Sequence, residues 1–231
     1  LYILVIRHAE KDRSMRTAVA DIDMPLTKKG KKDAKQVGKR LKAFAGDHAE
    51  IKPDNILIAS SRYLRVVQTR EHALEKAGKR YKKARLILCD ALNEHYKGAR
   101  MGFGSGVGMT KPQLWARYPR EMAERQELIN RGQKMDARLP DGAESPRELL
   151  HRIEKPVRAL VAEAENSNKR LLVIFTHGTV GKVLMMSLCN LPDEYFESTP
   201  SLPQGSISLI EGDLGSDFGR PKYIHGAPQD N

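Results

Sequence analysis

Apolar residues in this chain fall into two patterns. Three short, dense runs, Leu1-Tyr-Ile-Leu-Val-Ile6, Asn55-Ile-Leu-Ile-Ala-Ser60 and Leu171-Leu-Val-Ile-Phe-Thr176, are rich in branched side chains and read as buried strands. Residues 84–91 and 205–211 read as two further strands. Between these runs the apolar positions recur at three- and four-residue spacing. From 28 to 44 Ala34, Val37, Leu41 and Phe44 share one face, and Lys28, Lys29, Lys31, Lys32, Lys35, Lys39 and Lys42 lie elsewhere on the helix, an amphipathic pattern with Thr27 as N-cap. Helices are also predicted over 63–77, 145–165 and 179–190, that over 145–165 with Pro146 in its first turn and a kink at Pro156. Strands alternating with helices predict an α/β protein: a mainly parallel sheet with helices on both faces, three layers in all. A single domain spanning 1–231 is expected.

The alternation is interrupted between 93 and 143. Gly98, Gly102, Gly104, Gly106 and Gly108 read as loop, because no Gly-Lys-Ser/Thr follows them as a phosphate-binding loop would require. Helices over 111–118 and 120–132 follow, bounded by Pro112, Pro119 and Pro140. This segment is expected to be a helical insert over the rim of the sheet, a cap on the active site.

Composition narrows the class. The chain has 40% apolar and 30% charged residues, a globular balance, and no apolar run approaches the roughly 20 residues that span a bilayer. Its start lacks a basic region and small-residue cleavage site, so no signal peptide is expected. The net charge of +11 suits anionic substrates. Nucleic-acid partners are not expected, because the basic residues are not interleaved with aromatics. Cys89 and Cys189 stand alone in apolar stretches, which fits buried thiols in a reducing compartment, the cytoplasm. Neither has metal-ligand spacing to a second Cys or a His, so no metal or cofactor is expected. No membrane partner is expected, and a homodimer is left open.

The chemistry collects where strands end. Arg7-His8 follows the first run, Ser61-Arg62-Tyr63-Leu64-Arg65 the second and His177-Gly178 the third. The carboxyl ends of parallel strands are where open α/β sheets bind ligands. Two histidines with arginines at one rim suit a phosphate-like group with an imidazole available for reaction.

These segments resemble the signatures of the histidine phosphatase superfamily, which includes cofactor-dependent phosphoglycerate mutases. Arg7-His8-Ala9-Glu10 resembles its Arg-His-Gly signature, and Pro25-Leu26-Thr27 through Gly30 resembles the segment that follows. Ser61 through Arg65, Gln68 and Thr69, then Leu92-Asn93-Glu94 with Gly98 and Gly102, then Ala143-Glu144-Ser145 and Thr176-His177-Gly178 resemble the remaining motifs. They occur in family order over residues 1 to about 210.

The resemblance implies a phosphoglycerate mutase-like fold and a phosphatase acting on phosphomonoesters of small metabolites. His8 is then the nucleophile that becomes a phosphohistidine. Arg7, Arg65 and His177 bind the phosphoryl oxygens and Glu94 is the general acid. Ser14, where many members carry Asn, and Arg62 and Gly178 are expected to contribute to substrate binding. Glu94 must be protonated to donate, so burial or the incoming phosphate is expected to raise its pKa. Lys97 stands where the mutases have Tyr, and no Arg-Arg pair occurs in the insert, features that resemble the phosphatase members. The alternatives are phosphoglycerate mutase-like transfer and a non-catalytic member that binds phosphorylated ligands.

Overall fold

The computed structural model describes residues 1–98, 101, 108–213 and 218–225. Its strands are β1 (Tyr2–Arg7), β2 (Ile56–Ser60), β3 (Arg85–Leu88), β4 (Leu171–Thr176), β5 (Ile207–Glu211) and β6 (Lys222–His225). They form one sheet in the order β3-β2-β4-β1-β5-β6. β3, β2, β4 and β1 are parallel, and β5 and β6 add antiparallel strands. The helices are α1 (Lys28–Asp47), α2 (Leu64–Ala77), α3 (Lys79–Lys82), α4 (Lys111–Arg117), α5 (Pro119–Asn130), α6 (Pro146–Asn166), α7 (Gly178–Leu188) and α8 (Asp193–Ser198).

Strand alternation builds the three layers. Leu4, Ile6, Ile58, Val173 and Phe175 face one side and pack against Val37, Leu41 and Phe44 of α1 and Val66 and Ala73 of α2. Ile3, Val5, Leu57, Leu172 and Ile174 face the other and meet Leu149, Ile153 and Val157 of α6 and Val180, Val183 and Leu184 of α7. Each large aliphatic side chain so buried contributes roughly 1.5–3 kcal/mol. α1 and α2 approach closely because residue 38 is glycine: a Cβ there would come within 2.2 Å of the Ala73 carbonyl oxygen. Ser145 caps α6 with Glu148 in a reciprocal capping box, and Pro146 supplies the first turn. α6 runs on through Pro156.

The expected strand 84–91 is shorter, and 3₁₀ turn follows over Asp90–Leu92. β3 is an edge strand, with Leu86 42% and Leu88 41% exposed. The thiols of Cys89 and Cys189 are free and only partly buried. The insert's α4 and α5 pack Leu114 and Met122 into a small cluster with Met109, Tyr118 and Leu139. Gly102, Gly104 and Gly106 lie outside the described residues. No helix among the described residues is long and apolar enough to cross a membrane.

Candidate active site

The site grows directly out of the parallel ladder. Arg7 on β1 is level with Thr176 on β4, and Ser60 on β2 with Phe175. The pairing continues one residue past the strands: His8 N donates to Thr176 O at 3.0 Å and Ser61 N to Phe175 O at 3.1 Å. The backbone therefore delivers His8, Ser61 and His177 side by side at the carboxyl edge. The two imidazole centroids are 5.3 Å apart.

His8 is buried, and its Nδ1 lies 2.7 Å from Ala9 O. A carbonyl can only accept, so Nδ1 carries the proton and Nε2 holds a free lone pair. Arg65 Nε donates to that nitrogen at 3.3 Å. Burial, then Arg65, His177 when it is protonated, and Arg7, hold His8 well below the usual imidazole pKa, so it is neutral.

Arg65 is fully buried at the start of α2. Asp21 receives Arg65 Nη2 on its carboxylate at 2.9 Å and Nη1 on its backbone carbonyl. Its other carboxylate oxygen accepts from Lys11 Nζ at 2.9 Å. Arg7 donates to the Leu202 carbonyl. It lies against the start of α7, where a Cβ on Gly178 would meet the guanidinium carbon at 2.9 Å. A glycine at 178 is therefore what lets Arg7 lie there.

Glu94 follows the 3₁₀ turn Asp90–Leu92. Arg152 of α6 holds this strap by donating to Ala91 O at 2.9 Å and to Glu144 Oε1 at 2.7 Å. Glu94 Oε2 is 3.4 Å from Arg65 Nη2 and 3.4 Å from His177 Nδ1. Burial by itself would raise the Glu94 carboxyl, but His177, Lys97 and Arg65 outweigh it and hold it well below the usual carboxylate range. The raised pKa expected from burial is therefore not the state of the free site: His177 when protonated, and Lys97 and Arg65 at neutral pH, hold it down. Burial pushes His177 down to about 4 against the opposing pull of Glu94. At neutral pH Glu94 is ionised and His177 neutral.

A cleft of about 260 Å³ is lined by Arg7, His8, Lys11, Arg13, Asp21, Met24, Glu94, Lys97, Met101 and Gln204. Ser14 is exposed and bonds to Asp12 at 2.5 Å. Arg62 points outward to Asp90 at 2.8 Å. Neither is among the residues lining the cleft, nor are Gly178 and the buried Arg65 and His177, the last two touching the lining residues His8 and Glu94. His95 binds Glu144 O at 2.7 Å. Sequence patterns gave no hint of Lys11 or Asp21, which sit in a loop without periodicity.

His8, Glu94 and His177 bring one ligand-type atom each within 4.8 Å of one another. The fold thus assembles a set of donors that no sequence spacing disclosed, and such a set could hold a metal ion. The surrounding Arg7, Arg65, Lys11 and Lys97 make the potential positive, which opposes a divalent cation and favours an anion. Arg7 and Arg65 beside a neutral imidazole suit a small phosphorylated ligand.

Residues 3–217 match the histidine phosphatase superfamily, branch 1. The chain is 28% identical over 213 residues to a protein of Salmonella arizonae described as probable phosphoglycerate mutase GpmB, covering 91% of this chain and 85% of that protein. It is similar in fold to the mycobacterial glucosyl-3-phosphoglycerate phosphatase (TM-score 0.68, 21% identity, 96% of each chain). The α-ribazole phosphatase of Shigella flexneri is also similar (TM-score 0.69, 18% identity, 100% of each chain).

Proposed function

The chain belongs to the histidine phosphatase superfamily, branch 1, and from that premise we propose that it hydrolyses phosphomonoesters of small metabolites through a phosphohistidine on His8. The observation that carries this reading is the state of His8: its Nδ1 proton is engaged by Ala9 O, and its bare Nε2 faces Arg65.

In the first step His8 Nε2 forms a bond to phosphorus as the ester P–O bond breaks. The leaving oxygen takes a proton from Glu94, which must first acquire one as the substrate binds. Arg7 and Arg65 stabilise charge on the equatorial oxygens. Water then attacks phosphorus, gives a proton to Glu94, and the N–P bond breaks to release inorganic phosphate.

The segment 93–143 is read as a cap on a single domain, since Glu94, Lys97 and Met101 all line the cleft. The unpaired thiols favour a reducing compartment, the cytoplasm. The name carried by the Salmonella relative favours a second reading, phosphoglycerate mutase activity. Lys97 in the cleft, where those mutases have Tyr, favours the phosphatase.

The test is rapid quenching with a radiolabelled phosphomonoester. Acid-labile, base-stable label on His8, lost together with hydrolysis in His8→Ala, is expected. Label on a serine or aspartate would overturn the reading. Turnover of phosphoglycerate that depends on 2,3-bisphosphoglycerate would select the mutase.

A further inference from the structure

His177 touches the site through one nitrogen only, and its other nitrogen enters a short directional chain. His177 Nε2 is 3.0 Å from Ser61 Oγ, which is 2.8 Å from Asn93 Oδ1. Asn93 Oδ1 also accepts from Arg62 N at 3.1 Å, and its Nδ2 faces Asp90 Oδ1 at 3.3 Å. The amide orientation is thereby fixed, and Oδ1 can only accept. The Ser61 hydroxyl proton must point at Asn93. Ser61 Oγ also accepts from Tyr63 N at 3.3 Å, which leaves its second lone pair for His177. His177 Nε2 must therefore be a donor. His177 Nδ1 is buried with no hydrogen-bond partner, 3.4 Å from Glu94 Oε2.

We infer that Ser61 and Asn93 are positioning residues that lock His177 as its Nε2–H tautomer, so that Nδ1 is the basic nitrogen turned toward Glu94 and the phosphoryl site. This rests on the proposed phosphoryl role of His177. A neutral His177 in this form offers a lone pair, and it can donate to a phosphoryl oxygen only after taking up a proton at Nδ1. The groups facing it are Glu94 from the strap, His8 from the end of β1, Arg65 and Tyr63 from the start of α2, and Asp21 from the loop. The cations and burial keep Nδ1 bare in the free protein. An incoming phosphoryl dianion reverses that balance, and the proton taken up is held between His177 Nδ1 and Glu94.

The test reads the tautomer without turnover, by nitrogen NMR of histidine-labelled protein. In the free wild-type protein at neutral pH, His177 should show a protonated Nε2 and an unprotonated Nδ1. Saturating inorganic phosphate should protonate Nδ1 as well. In Asn93→Ala the Ser61 hydroxyl loses its acceptor and turns to His177, which should convert the ring to the Nδ1–H tautomer. In Ser61→Ala the preference should disappear, with kcat/KM for phosphomonoesters falling about tenfold, the scale of one hydrogen bond. A general structural role would lower stability without exchanging the tautomers. A wild-type Nδ1–H form, or spectra unchanged in both variants, would overturn the inference. A protein with the expected tautomers that forms no phosphohistidine would instead overturn the phosphatase reading and leave this chain of bonds standing.

Discussion

Arg65 Nε and His8 Nε2 are 3.3 Å apart, so a permanently charged donor rests on the lone pair that is to attack phosphorus. Together with burial, the contact keeps His8 unprotonated. The imidazole and the guanidinium are thus positioned by one interaction.

Arg65→Lys keeps the charge and loses the planar fork. Its kcat should fall by about 10²–10³, the scale of one lost donor to a developing oxyanion. Arg65→Gln also removes the charge that depresses His8, so the acid limb of kcat/KM should move to higher pH. An unmoved limb would mean that burial alone holds His8 neutral.

Asp21 occupies the same cations from the other side, bound to Arg65 and Lys11 at 2.9 Å each. Its carboxylate lies in the cleft and repels a phosphate dianion. Asp21→Asn should tighten competitive inhibition by inorganic phosphate about tenfold, the scale of one charge a few ångströms away in a water-filled cleft of near-aqueous dielectric. Weaker inhibition would show that orienting Arg65 outweighs the repulsion.

How much of this was legible in the sequence depends on which interactions set each feature. The strands ending in Arg7-His8 and His177 could be read because dense apolar runs followed by charge have few alternatives. Arg65 and Glu94 were placed by motif. Lys11 and Asp21 were not, because the loop from 9 to 27 takes its path from a lone bridge between Lys11 and Leu26 and the Gln68 side chain on Leu26 N. The exposure of Leu86 and Leu88 was hidden because an apolar run reads the same at the edge of a sheet as at its centre. The charge of Glu94 was misjudged because it depends on Arg65, Lys97 and His177, brought together only by folding.

The buried histidines also set the pH dependence of stability. His177 titrates near 4 in the folded protein, against about 6.5 for a free imidazole. Below about pH 6.5 the unfolded chain binds a proton that the native state does not, so stability falls until the pH reaches about 4. For His177 alone the loss is about 3 kcal/mol, and His8 adds in the same direction. Urea midpoints should therefore drop between pH 7.5 and 4.5, less steeply in His177→Asn. An equal drop in the variant would assign the effect to other groups.

Glu94 is ionised in the free site, held by Lys97 and Arg65 against its burial, so any proton it donates must be taken up as the substrate binds. A phosphomonoester carries that proton below its second pKa of about 6, and kcat/KM for alkyl phosphates should fall above that pH. Glu94→Gln cannot pass a proton on. It should slow alkyl phosphates by about 10²–10⁴ and p-nitrophenyl phosphate far less, because nitrophenolate leaves without protonation. Its neutral amide also removes a negative charge from the cleft, so inorganic phosphate should bind the variant no more weakly than the wild type. Those two effects separate the acid from a binding residue: rate lost selectively on poor leaving groups, with phosphate affinity kept. Equal losses on both esters, with weakened phosphate binding, would make Glu94 a structural anchor for Arg65 and His177. The proton donor would then have to be His177, whose Nδ1 is the nearest alternative at 3.4 Å.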